Sequence, residues 1–168
     1  GKEMDRTIVI TDLTTRGGDM VCIAGIDPQF QCIRPVLRSG DVWRKHLYVT
    51  SNLVIRPRAK VKFDFFRVPA EQPHIEDVGF DPQSIVYQGL CTDAEWETVL
   101  QGSTFDSVQS IYDGLLQKPH WVQPGANTRS LGTLSQTKMR QMHFELRDNT
   151  TKYRLSFVDR AGATYDRV

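Results

Sequence analysis

His74, Glu76 and Asp77 fall within four consecutive positions and form the most catalytic-looking group in the chain. Histidine exchanges protons near neutral pH, and neighbouring carboxylates hold a divalent metal or activate water. Their spacing argues against that use. Glu76 and Asp77 are consecutive, so in an extended segment their side chains point to opposite faces. With Arg56 or Arg129 nearby, the same acids would brace a joint between two parts of the fold. A structural or ligand-recognition network of His74, Glu76 and Asp77 is therefore expected before a catalytic one. No Gly-x-Ser-x-Gly elbow, His-Glu-x-x-His helix or dinucleotide glycine fingerprint accompanies them. Gly17-Gly18 lacks the Lys-Ser/Thr ending of a phosphate-binding loop and reads as a turn.

The second chemistry is electrostatic. Residues 1–67 hold twelve Lys/Arg against seven Asp/Glu, residues 68–117 none against nine, and residues 118–168 nine against four. The net charge of +1 thus conceals two basic regions flanking an acidic one. If the basic ends converge in space they could hold a polyanion despite the small total. Arg16, Arg34, Arg38, Lys45, Arg56, Arg58, Lys60 and Lys62 are the phosphate-contact candidates, with Arg129 as a further one in the second basic region. Trp43, Tyr48 and Phe66 are candidate stacking platforms for bases. Arg34 and Arg56 each end an apolar run just before proline, and an internal salt bridge is an equal expectation for them. The plainer alternative for the charge pattern is that acidic helices solvate their own face or lie against the basic strands.

Other site classes find little support. Cys22, Cys32 and Cys91 sit beside apolar residues without a CxxC pair, and His46, His74, His120 and His143 lack metal-ligand spacing. Neither a metal nor a cofactor is expected. No apolar run reaches the length that crosses a bilayer, and the first six residues have no signal-peptide core, so a cytoplasmic protein without membrane attachment is expected. Gly1 reads as a remnant of tag removal, and the strand-like residues 163–168 as a chain that continues.

These residues must be positioned mainly by strands. Thr7-Ile8-Val9-Ile10-Thr11, Met20-Val21-Cys22-Ile23-Ala24-Gly25-Ile26 and Gln31-Cys32-Ile33-Arg34 are closely spaced and β-branched, which predicts a meander. In residues 59–65, Val61, Phe63 and Phe65 alternate with Lys60, Lys62 and Asp64, the pattern of a half-buried strand with a wet, mostly basic face. Phe66 breaks the alternation, so a bulge or a change of environment is expected there. Residues 68–91 contain Pro69, Pro73 and Pro82 and are predicted to be largely irregular. Thr92 with Glu95 forms a capping box opening a helix that carries Trp96, Val99 and Leu100 on one side. A second helix is predicted from Phe105 to Tyr112, stopping at Gly114. Both helices are expected to cover a sheet edge or plug a barrel. Strand character resumes at Met142-His143-Phe144-Glu145-Leu146 and at residues 153–158, around a turn at Asp148-Asn149.

Several segments in this order resemble a bacterial family described as a dual OB-containing domain. They are Ile10-Thr11-Asp12-Leu13-Thr14, Val21-Cys22-Ile23-Ala24-Gly25, Cys32-Ile33-Arg34-Pro35-Val36, Val54-Ile55-Arg56-Pro57, Val61-Lys62-Phe63-Asp64-Phe65, Pro73-His74-Ile75-Glu76-Asp77, Arg129-Ser130-Leu131-Gly132-Thr133 and Tyr153-Arg154-Leu155-Ser156-Phe157-Val158-Asp159. The resemblance implies two OB folds and nucleic-acid binding, and supplies no catalytic set. The expected architecture is mainly β: a first OB-like barrel at 5–67, an irregular and helical connecting insert at 68–127, and a portion of a second OB-like barrel at 128–168, incomplete at its end. The leading functional expectation is a non-catalytic nucleic-acid-binding module, single strands favoured and DNA or RNA open, attached to an effector or nuclease in a longer polypeptide. A protein-interaction adaptor or dimerisation domain is the alternative, and a metal-dependent nuclease the third.

Overall fold

The computed structural model describes residues 4–69, 74–118, 121–126 and 128–168; Gly1, Pro73 and His120 lie outside the described residues. The molecule is mainly β and is built on one closed five-stranded barrel. Its strands are β1 (Met4–Gly17), β2 (Met20–Ile26), β3 (Cys32–Val36), β4 (Ala59–Phe66) and β5 (Asp77–Phe80). β1 pairs through its first half with β4 and through its second half with β2, and an irregularity between Ile10 and Asp12 helps so long a strand curl. β2 pairs with β3. β3 then runs parallel to β5, with Arg34 opposite Asp77, and β5 returns antiparallel to β4. The circuit β1-β2-β3-β5-β4-β1 leaves no free edge inside the barrel and is consistent with an OB-like barrel.

Alternation puts Ile8, Ile10, Val21, Ile23, Val61, Phe63 and Phe65 inside, where Phe63 meets Phe80 edge-on at 5.3 Å. The predicted face of β4 is therefore the buried one. The segment between β3 and β4 contributes a short 3-10 turn, Arg44–Leu47, that inserts Leu47 into this core. Phe66 departs from the alternation because its ring packs over the backbone of Gly79, where an added Cβ would lie 2.2 Å from the ring. Arg38 covers that ring, its guanidinium 4.0 Å from the centroid.

The stretch 68–91 is less irregular than its prolines suggest. It holds β5, the strand that closes the barrel, and β6 (Val86–Leu90), which continues along β4 beyond β5. Strands of four and five residues close to prolines carry too little alternation to stand out in sequence. The barrel therefore draws its fifth strand from beyond residue 67.

The capping box forms as expected at α1 (Asp93–Ser103): Thr92 Oγ1 accepts from the Glu95 amide at 3.1 Å and Glu95 accepts from the Thr92 amide at 2.9 Å. α1 fully buries none of its residues. The second helix is shorter than predicted, α2 (Val108–Ile111). Phe105 lies instead in the two-residue strand Thr104–Phe105, parallel to Thr133–Leu134, and Ser107 caps the turn that follows.

The remainder is an antiparallel hairpin of β7 (Lys138–Arg147) and β8 (Thr150–Val158), joined at its base by Thr164–Tyr165. A second closed barrel is not shown among the described residues; these strands form an open three-stranded sheet. The sheet is fastened to the insert by the buried carboxylate of Asp159, which accepts from the amides of Val108 at 3.1 Å and Ala163 at 3.0 Å. No helix among the described residues is long and apolar enough to cross a membrane.

Candidate functional site

The His74, Glu76 and Asp77 group lies at the start of β5, where the parallel seam closes the barrel. Glu76 and Asp77 point apart, as consecutive residues of an extended segment must. Asp77 faces Arg34 across the β3–β5 seam in a two-pronged ion pair, with Nη2 donating to Oδ2 at 2.9 Å. Each Arg34 prong is thereby occupied within the fold, and the nearby carboxylates raise the affinity of the guanidinium for its proton against the opposing effect of burial. Glu76 is 6 % exposed and makes no ion pair among the described residues. Its carboxylate accepts from the Ser130 amide, from Ser130 Oγ at 2.8 Å and from the Leu131 amide at 3.2 Å. His74 Nδ1 lies 3.3 Å from the same Ser130 hydroxyl. Both acids are thus engaged within the fold, Glu76 in tying 129–132 to the barrel and Asp77 in closing its seam, and no group of three or more potential metal ligands occurs among the described residues.

Most of the candidate cations are already held by carboxylates within the fold. Six of the nine are ion-paired: Arg16 with Asp41, Arg34 with Asp77, Arg58 with Asp93, Lys60 with Glu95, Lys62 with Asp5 and Arg129 with Asp113. α1 supplies two of these carboxylates, so its acidic side lies against the basic face of β4. The amide of Thr92 and the ammonium of Lys60 together hold the Glu95 carboxyl below its usual range. Arg58 also lies over the Trp96 ring at 5.5 Å, and Arg129 over Phe105 at 4.9 Å. Arg38 is committed to Phe66. Lys45 and Arg56 remain exposed, and Trp43 and Tyr48, on the segment that plugs the barrel, are 41 % and 44 % exposed.

The hairpin carries groups that their sequence context does not single out. Phe144 and Tyr153 are opposite one another in register, 76 % and 68 % exposed. β7 and β8 together bear Lys138, Arg140, Arg147, Lys152 and Arg154 against the single acid Glu145. Only Arg147 among these cations has an ion pair within the described residues, with Glu145 at 4.0 Å. Alternation puts Phe144 and Tyr153 on one face and Lys152 and Arg154 on the other, so the rings and these cations project from opposite faces of the same hairpin. The available signal was the alternation of Met142, Phe144 and Leu146, which marks a one-sided strand without revealing whether that side is covered.

The three cysteines are free thiols. Cys22 and Cys32 line a cavity of about 790 Å³ over the outer face of β1–β3, walled by Phe30, Phe105 and Arg129. Burial, reinforced by the charges of Glu76 and Asp12, pushes the Cys32 thiol up to about 12 and keeps it protonated at neutral pH.

Set against protein-family models, curated proteins and solved structures, the chain matches none.

Proposed function

We propose that this chain is a non-catalytic module that binds single-stranded nucleic acid through the β7–β8 hairpin. The observation that carries the reading is the exposed Phe144–Tyr153 pair on a hairpin with five basic residues. Adjacent rings on a strand pair offer flat faces on which successive bases stack without regard to sequence, while the long cations of the opposite face reach phosphates only around the edge of this narrow hairpin. The barrel circuit supports the same reading, because OB-like barrels are a recurrent scaffold for oligonucleotide binding. We read the sheet over 138–165 as a portion of the second OB-like barrel that the family resemblance implies. Free thiols fit a reducing, cytoplasmic setting.

The test is fluorescence anisotropy with labelled single-stranded DNA and RNA across a salt series. Stacking is worth about 1–3 kcal/mol per base, so Phe144→Ala and Tyr153→Ala should each weaken binding about fivefold to a hundredfold. Lys152→Ala with Arg154→Ala should flatten the salt dependence by about 0.7 for each phosphate no longer neutralised. Binding that ignores both aromatic substitutions overturns the assignment.

A second reading, a protein-interaction or dimerisation surface, is favoured by Met139, Met142 and Leu146, which are exposed on the same face as Phe144. Contiguous exposed apolar area marks protein contacts. Association of copies in light scattering that is insensitive to salt and abolished by Leu146→Lys, with no nucleic-acid binding, would select it.

A further inference from the structure

The cavity on the outer face of β1–β3 is distinct from the hairpin, and its chemistry differs. Its volume of about 790 Å³ falls within the range of small-molecule sites. Three charged side chains line it: Asp12, Arg34 and Arg129. Both arginines are neutralised in place, Arg34 by Asp77 and Arg129 by Asp113. Asp12 has no ion pair among the described residues, so the uncompensated charge lining the cavity is a carboxylate. Arg129 keeps one buried donor, Nε, without a hydrogen-bond partner, but its charge is met by Asp113; a ligand that presents N–H donors would find in Asp12 an acceptor without a counter-ion.

The walls specify more. Phe30 is held by contact with Gly102, where a Cβ would fall 2.2 Å from the ring, and Phe105 lies beneath the Arg129 guanidinium. Ala24 and Leu131 add apolar surface, while Gln29, Gln31 and Thr104 add neutral donors and acceptors. Aromatic walls, neutral polar groups and one free carboxylate suit a flat heteroaromatic ring with two adjacent N–H donors. Among the nucleobases, guanine has that edge: its N1–H and N2–H both donate in one direction, matching the two oxygens of a carboxylate. We propose that this cavity is a guanine-selective site, with Asp12 accepting from the base edge and any phosphate left outside. The inference does not rest on the hairpin reading.

Cys22 reports on occupancy because it lines the cavity. The experiment follows N-ethylmaleimide modification of Cys22 by mass spectrometry with GMP, AMP, CMP or UMP present, together with calorimetric titration of each nucleotide. GMP is expected to bind and slow the modification several-fold while AMP at the same concentration does not. Asp12 is exposed, and Asp12→Asn, which replaces one acceptor oxygen by a donor, should weaken GMP about tenfold to a hundredfold and remove the preference over AMP. Equal protection by all four nucleotides, or protection by none, overturns the proposal on the wild-type protein alone. Unchanged GMP affinity in Asp12→Asn overturns the role of Asp12. If GMP protects Cys22 but no oligonucleotide binds, the hairpin reading fails and this one stands; oligonucleotide binding without GMP protection gives the reverse.

Discussion

Arg34 could serve a ligand or the barrel, and the structure supports a definite prediction for its removal. It lies in register with Asp77 across the β3–β5 seam, which is only three residue pairs long: Arg34–Asp77, Pro35–Val78 and Val36–Gly79. A parallel seam that short has few backbone bonds, so a two-pronged ion pair across it should act as a clamp. Breaking a buried ion pair by removing one partner costs about 3–5 kcal/mol. Here the two side chains are 18 % and 16 % exposed, and solvent screening lowers the expectation for Arg34→Met to about 2–3 kcal/mol. For a chain of this length that corresponds to about 4–12 °C in Tm. Asp77→Leu should behave similarly. The double substitution should be less damaging than the sum by about 1.5–3 kcal/mol, since neither charge is then left alone. Urea unfolding followed by circular dichroism on the four members of the cycle measures this. Additive losses, or an Arg34→Met protein within about 0.5 kcal/mol of wild type, would refute the clamp. Loss of nucleic-acid affinity without loss of stability would make Arg34 a phosphate contact instead.

Glu76→Ala removes the acceptor for two amides and a hydroxyl; the orphaned donors should cost about 3 kcal/mol or more, read as a Tm lower by about 6 °C or more, and an unchanged Tm would contradict the bracing role. The Cys32 thiol is pushed up to about 12 from an ordinary value of 9.0 by burial, Glu76 and Asp12, so it should resist iodoacetamide at pH 9 in the folded protein and react on unfolding. Below about pH 9 both states keep that proton, and above it only the unfolded chain releases it, so stability should fall towards pH 12 by at most about 1.4 kcal/mol per pH unit. Cys32→Ala should show a shallower decline between pH 9 and 11 in urea titrations; parallel curves would sink the argument.

Much of the local structure was legible because its cause is local. β4 declares itself through Val61, Phe63 and Phe65, and the opening of α1 through Thr92 and Glu95, whose partners are two or three residues away. β5 and β6 were not legible, because each is short and bounded by prolines or turns and is stabilised by pairing with β3 or β4, distant in sequence. The extent of α2 was overestimated for a related reason. Phe105 has helical spacing to Val108 and Ile111, but its backbone pairs with Leu134 and its ring lies beneath Arg129. Among the site residues, the divergence of Glu76 and Asp77 followed from strand geometry, whereas Ser130 and Arg34 as their partners depended on the fold.

What the sequence determined alone was the alternation that buries one face of each long strand of the barrel, the cap that starts α1 and the division of charge into basic, acidic and basic regions. Those features depend on residue type and short spacing. Only the tertiary structure decided that the acidic insert neutralises Arg58, Lys60 and Arg129, that the barrel closes through a parallel seam clamped by Arg34 and Asp77, and that Phe144 and Tyr153 stand open to solvent. Charges and rings acquire a role only through what lies within a few ångströms of them, and that is set by pairings between segments far apart in the chain.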